Sequence, residues 1–121
     1  MHKVLIVEDE DILRNAYVNV FTIEKFDVSQ AANGKAALDM IKKVNPDIVI
    51  LDILMPVMNG LEFLEKVNLA GSYPKTKVLV LSNLSDKETI DQVTALGATK
   101  HVVKASLSPG QLVQTVRTLL K

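Results

Sequence analysis

The sequence predicts an α/β domain built on a parallel sheet, and three observations carry that expectation. Short, β-branched apolar runs recur without polar alternation, as strands buried on both faces do. They alternate with amphipathic, helix-forming stretches, and the rhythm repeats five times. Finally, four of the runs stop at residues with chemical capability: Lys3-Val4-Leu5-Ile6-Val7 at Glu8-Asp9, Ile48-Val49-Ile50-Leu51 at Asp52, Lys77-Val78-Leu79-Val80-Leu81 at Ser82, and Val102-Val103 at Lys104. Parallel strands share one C-terminal edge, where open α/β folds bind ligands. That places three carboxylates, a hydroxyl and an ammonium together.

Taking the elements in order, Ile12, Leu13, Ala16, Tyr17, Val20 and Phe21 recur at three- and four-residue spacing, predicting a helix over roughly residues 10 to 25. Asp27 to Ala32 is a strand with a weaker apolar pattern. Asn33-Gly34 then opens Lys35-Ala36-Ala37-Leu38-Asp39-Met40-Ile41, rich in helix formers, and Pro46 ends it. The third strand runs into Asp52-Ile53-Leu54-Met55-Pro56-Val57-Met58-Asn59-Gly60, a loop before a helix carrying Leu61, Leu64 and Val67. Gly71 and Pro74 mark the next turn. Ser85 with Glu88 reads as a capping box opening a helix with Ile90, Val93 and Leu96, which Gly97 ends. Ser108-Pro109-Gly110-Gln111 repeats that capping logic for the last helix.

The 121 residues make one domain, with a size sufficient for a core without staples. Fourteen basic and fourteen acidic residues cancel, so no direct nucleic-acid or membrane partner is expected. Cysteine is absent, which excludes disulfides, thiolate metal sites and a thiol nucleophile. The first apolar run is too short for an export signal and meets four acidic residues at once; the expected compartment is the cytoplasm.

Glu8, Asp9 and Asp52 would repel one another at a shared edge unless a cation intervened. Oxygen ligands in this number suit Mg2+ better than zinc, and a carboxylate beside such an ion can take up a phosphoryl group. Taken singly, Asp52 reads as a turn residue, Glu8-Asp9 as a helix N-terminal charge pair, Ser82 as a turn hydroxyl and Lys104 as a solvated lysine. Their joint placement at successive strand ends is what points to one site.

Several signatures together carry a resemblance: Val7-Glu8-Asp9-Glu10, Asp52-x-x-Met55-Pro56-x-Met58-x-Gly60, Leu79-Val80-Leu81-Ser82, Gly97-Ala98 and Val103-Lys104. The chain resembles a response-regulator receiver domain over essentially its whole length. The resemblance implies a flavodoxin-like five-stranded sheet of order 2-1-3-4-5 with five helices. It further implies Asp52 as phosphoacceptor; Glu8, Asp9, Asp52 and the Leu54 backbone carbonyl as Mg2+ ligands; Lys104 as the phosphate-binding lysine; and Ser82 and His101 as switch residues. The implied partners are a sensor histidine kinase or histidine phosphotransfer protein, and a downstream protein target or an output domain on a longer chain. The fourth helix, fifth strand and last helix would present the switching face.

The chain departs from that family at three places. Lys104 is followed by Ala105 where receivers usually carry a cis-proline, so the lysine either sits on a strained bond or approaches along a trans one. His101 replaces the usual aromatic residue; it either swings inward when Ser82 moves, making activation sensitive to acid, or stays exposed at the strand end without a role. Asn83 stands where a small residue is usual, and the apolar Leu54 and Leu84 flank the expected water path, predicting slow loss of the phosphoryl group. Two other functions compete. One is a receiver-like scaffold that works without phosphorylation, and the other a magnesium-dependent phosphohydrolase, which would want a second acid where Leu54 stands.

Overall fold

A computed structural model describes residues 1–84 and 86–121. Five strands, β1 (Lys3–Val7), β2 (Asp27–Ala31), β3 (Ile48–Leu51), β4 (Lys77–Ser82) and β5 (Lys100–Val103), form a parallel sheet in the order β2-β1-β3-β4-β5. Between them run α1 (Asp11–Ile23), α2 (Gly34–Val44), α3 (Gly60–Val67), α4 (Leu69–Ser72), α5 (Lys87–Ala95) and α6 (Pro109–Leu119). This is the flavodoxin-like order the resemblance implied. Five helices are substantial; α4 is an added single turn that sequence reading placed within a loop.

The central strands are buried on both faces because their residues divide by parity between two cores. Leu5, Val7, Val49, Leu51, Val78 and Val80 meet Ala37, Ile41, Phe63, Leu64 and Val93 on the side of α2, α3 and α5. On the other side Val4, Ile6, Ile48, Ile50, Leu79 and Leu81 meet Tyr17 and Phe21 of α1 and Leu112, Val113 and Val116 of α6. Each such side chain contributes about 1.5–3 kcal/mol on leaving water, which is why runs with no polar alternation fold as they do.

Helix starts are set by local chemistry. Asn33 accepts from the Ala36 N–H at the start of α2; at α6 Ser108 accepts from the Gln111 N–H and Pro109 occupies the first turn, as the sequence predicts. Asn59 and Glu62 form a full capping box at α3. At α5 the cap is Asp86, whose carboxylate accepts from the Thr89 amide; the expected cap Ser85 lies outside the described residues. α1 begins one residue later than expected and ends at Ile23, where Lys25 turns the chain with φ +71°.

β1 lies between β2 and β3, and the chain moves to opposite sides of it in its first two crossovers. A crevice opens at such a reversal, beyond the carboxyl ends of β1 and β3. The residues that follow those two strands are Glu8-Asp9 and Asp52.

Candidate functional site

The strand ends converge on an open pocket of about 160 Å³ lined by Asp9, Glu10, Asp52, Leu54, Ser82, Asn83 and Lys104. Among the described residues, Glu8, Asp52 and Ser82 are the buried polar ones in a core that is otherwise apolar, at 2%, 6% and 1% exposure. Carboxylate oxygens of Glu8, Asp9 and Asp52 lie within 4.8 Å of one another, so these three could hold a metal ion.

Each carboxylate is positioned by backbone. Asp52 follows the buried run of β3, and its own N–H donates to the Val7 carbonyl, extending the ladder to β1. Its Oδ1 accepts from the Ile53 N–H at 2.7 Å, while Oδ2 takes the Lys104 ammonium at 2.9 Å. Glu8 divides its oxygens likewise: Oε2 accepts from the Glu10 N–H at 3.1 Å and Oε1 faces Lys104 Nζ at 2.7 Å. Arg14, which sequence analysis did not single out, donates to the Glu8 carbonyl at 2.8 Å and pins the β1–α1 loop.

Gly60 explains why the Asp52 loop can pack so tightly. A Cβ there would stand 2.5 Å from the Asp52 carbonyl oxygen, so α3 reaches the strand end only with glycine at its first turn. Between them, Val57 adopts φ +68° and the Met58 N–H donates to the Pro56 carbonyl at 2.7 Å. That is a three-residue γ-turn of the strained, positive-φ kind, held by an exposed β-branched residue.

The electrostatics are those of a crowded acidic site with one internal cation. Burial pushes the Glu8 carboxyl above its ordinary value, against the bonds from Lys104 and Glu10 that pull it down. Burial also works against the charge on Lys104, but the hydrogen bonds and Coulombic attraction of Glu8 and Asp52 prevail, and its pKa is raised. The three carboxylates, all oxygen donors beside a solvent-open pocket, fit a hard divalent cation that keeps water in its shell.

The remaining expected residues are placed as follows. Leu54 lines the pocket mouth at 63% exposure. Leu84 does not line it; its side chain packs against the core beside α5, so of the two expected flanking residues only Leu54 borders the pocket. Ser82 closes β4, and its Oγ accepts from the Leu84 N–H at 3.1 Å. The Lys104–Ala105 bond is trans, and a 3-10 turn over Lys104–Ser106 follows β5. His101 pairs with Val80 in the sheet and is partly buried, with Nε2 inaccessible and unpartnered among the described residues. That corrects the reading of an exposed strand-end histidine.

A family model described as "Response regulator receiver domain" matches residues 4–117. The chain belongs to the response-regulator receiver family. Among curated relatives, the chemotaxis protein CheY of Thermotoga maritima is 29% identical over 120 residues, covering 98% of each chain. Sporulation initiation phosphotransferase F of Bacillus subtilis is 34% identical over 84% of this chain and 81% of its own. The transcriptional regulatory protein LnrK of Bacillus subtilis is 35% identical, but this receiver spans only 54% of its length. Of the regulatory protein AtoC of Escherichia coli it spans 22%. The Vibrio cholerae chemotaxis protein CheY4 superposes with a TM-score of 0.90 at 33% identity, over 99% of both chains. Receivers thus occur alone and as parts of longer regulators, and they are signalling domains in both settings. No helix among the described residues is long and apolar enough to cross a membrane.

Proposed function

We propose that this receiver takes a phosphoryl group onto Asp52 from the phosphohistidine of a sensor histidine kinase or histidine phosphotransfer protein. The observation that carries the reading is the bridging of Glu8 and Asp52 by Lys104 at the reversal crevice, with Ser82 buried beside it. An Asp52 carboxylate oxygen attacks phosphorus, the phosphorus–nitrogen bond breaks, and the imidazole leaves with the bonding pair. Lys104 stands where it can follow the charge from the carboxylate to the phosphoryl oxygens. Ser82 supplies a hydroxyl from the end of β4.

Glu8, Asp9, Asp52 and the Leu54 backbone carbonyl are the proposed ligands of Mg2+, which when bound neutralises charge on the transferring group. Asp52 is otherwise held by the Ile53 N–H, which leaves Oδ2 as the oxygen shared with Lys104. Movement of Ser82 and His101 would then alter the face formed by α5, β5 and α6. A downstream protein, or an output domain on a longer chain, reads that face. The cytoplasm is the proposed compartment, and the domain catalyses nothing beyond its own phosphorylation and dephosphorylation. The phosphohydrolase reading loses ground because the exposed apolar Leu54 occupies the position of the second acid.

A second reading, a scaffold that binds partners without phosphorylation, draws on the same Lys104 bridge, which neutralises the acidic cluster without a metal. Intact mass after incubation with magnesium and acetyl phosphate, beside Asp52→Asn and a metal-free control, separates the two. One added phosphoryl group that needs both Asp52 and the metal is expected. No gain, with negligible magnesium binding, would transfer the reading to the scaffold.

A further inference from the structure

We infer that Asn83 is a positioning residue for Lys104, acting as a latch between the loops that carry Ser82 and the lysine. The pairing of β4 with β5 ends at Ser82 and Val103. Past that pair the strands give way to two loops, and among the described residues one hydrogen bond joins them: the Ala105 N–H donates to Asn83 Oδ1 at 3.0 Å. Oδ1 of Asn83 therefore supplies the rung that a backbone carbonyl would have supplied had the ladder continued.

The latch matters because the segment it holds is weakly held otherwise. The 3-10 turn over Lys104–Ser106 is closed by a Leu107 N–H to Lys104 carbonyl bond of 3.4 Å, near the limit of a useful hydrogen bond. From this turn the lysine stem must place Nζ between Glu8 and Asp52, at 2.7 and 2.9 Å. A long side chain holds such a position only if its backbone is fixed. On its other side Asn83 is flanked by the Ser82 Oγ to Leu84 N–H bond, so both of its neighbours are tied down as well. Its side chain also lines the pocket itself, beside Asp52, Ser82 and Lys104. A shift of Ser82 toward a bound phosphoryl group would consequently draw the Lys104 turn with it. This inference rests on the reading of Asp52 as phosphoacceptor and Lys104 as its cationic partner.

The test compares Asn83→Ala in the native background and in Lys104→Met, reading the rate of phosphoryl uptake from acetyl phosphate at saturating magnesium. Asn83 is exposed, so its truncation leaves the core intact. A latch acting through the lysine slows uptake by about tenfold in the native background, the scale of one lost orienting hydrogen bond. It changes the residual rate of Lys104→Met less than about twofold, because the two substitutions then remove one function. Equal slowing in both backgrounds, or no slowing in the native one, overturns the inference. A parallel measurement follows the Ala105 amide hydrogen exchange and the Lys104 Nζ nitrogen resonance by NMR; faster exchange together with a displaced resonance in Asn83→Ala is expected. If the native protein takes up no phosphoryl group, the proposed function fails, and the latch is decided by this NMR comparison alone, an unmoved Nζ resonance counting against it.

Discussion

The Lys104 ammonium rests 2.7 Å from Glu8 Oε1, joining the ends of two strands, β5 and β1, that have β3 and β4 between them in the sheet. The same ammonium reaches Asp52 beyond β3, so one cation answers two buried carboxylates. Removing it leaves both uncompensated. Breaking a fully buried pair costs about 3–5 kcal/mol, and a pocket open to water reduces this, so Lys104→Met is expected to lose about 2–3 kcal/mol at neutral pH. Denaturant unfolding without metal measures it. Magnesium, or mild acid that protonates Glu8, should restore part of the loss; a loss insensitive to both would place its cause elsewhere.

Alkaline stability follows from the same cation and from Tyr17. Burial first, opposed by Lys104 and assisted by the acidic residues, raises the Tyr17 phenol to about 12 from 10.0. Lys104 is raised above its ordinary 10.5 by its two carboxylates despite burial. In both cases the folded chain holds a proton that the unfolded chain releases first. Their contribution is complete below about pH 10 and disappears as the pH rises through the folded values. Stability should therefore fall steeply above pH 10, and Tyr17→Phe should make the fall shallower. Unfolding midpoints at several alkaline pH values check this; identical slopes for the two proteins would remove Tyr17 from the account.

Val57 is strained for a local reason that can be relieved locally. A β-branched residue at positive φ costs about 1–2 kcal/mol, and glycine avoids that cost while losing about 0.5–1 kcal/mol of chain entropy on folding. Val57→Gly should accordingly gain up to about 1 kcal/mol, because the valine side chain is 75% exposed and gives up little packing. Chemical denaturation reads the sign directly. A destabilised glycine variant would mean that the valine side chain makes the turn.

How much of this was legible in the sequence depended on the physics of each element. The runs Val4–Val7 and Ile48–Leu51 announced themselves because strands covered on both sides carry no polar residue to confuse the pattern. Ser108 was legible as a cap because the cap chemistry is local. The turn of α4 was not, since four residues carry no periodicity. Nor was Val57, whose positive φ, in a turn closed by the Met58 N–H to Pro56 carbonyl bond, runs against the preference of a β-branched residue. The strand ends disclosed which groups would meet at one edge. They did not disclose that Lys104 would reach across two intervening strands, that Asn83 would bond to the lysine loop, or that His101 would turn Nε2 inward.

Leu54 borders the pocket where an attacking water would approach a phosphorylated Asp52. An apolar side chain can neither accept from nor donate to that water, so the proposed phosphoryl group should be lost slowly. Leu54→Asn supplies both functions and is expected to shorten its lifetime by at least about tenfold, a gain well within what positioning alone provides. The decay of the phosphorylated mass with time measures it, and an unchanged lifetime would refute the explanation.

Phosphorylation is expected to shift the conformational equilibrium only partly. A near-complete switch needs about 5.5 kcal/mol of differential interaction, and a hydrogen bond to a charged group supplies about 1.5–3 kcal/mol. Two groups stand ready to respond, but they are not equally new to the interaction. Lys104 already touches Asp52 before any transfer, so its bond to a phosphoryl oxygen replaces one it holds at the outset. Ser82 Oγ accepts from the Leu84 N–H, which leaves its hydroxyl hydrogen to make the one new bond. The surplus is therefore about that of one charged hydrogen bond, and both conformations should stay populated until a partner selects one. NMR spectra of the phosphorylated protein without partner should show averaged or doubled resonances along β4, α5 and β5. A single fully displaced set would mean that a contact absent from this structure forms in the phosphorylated state.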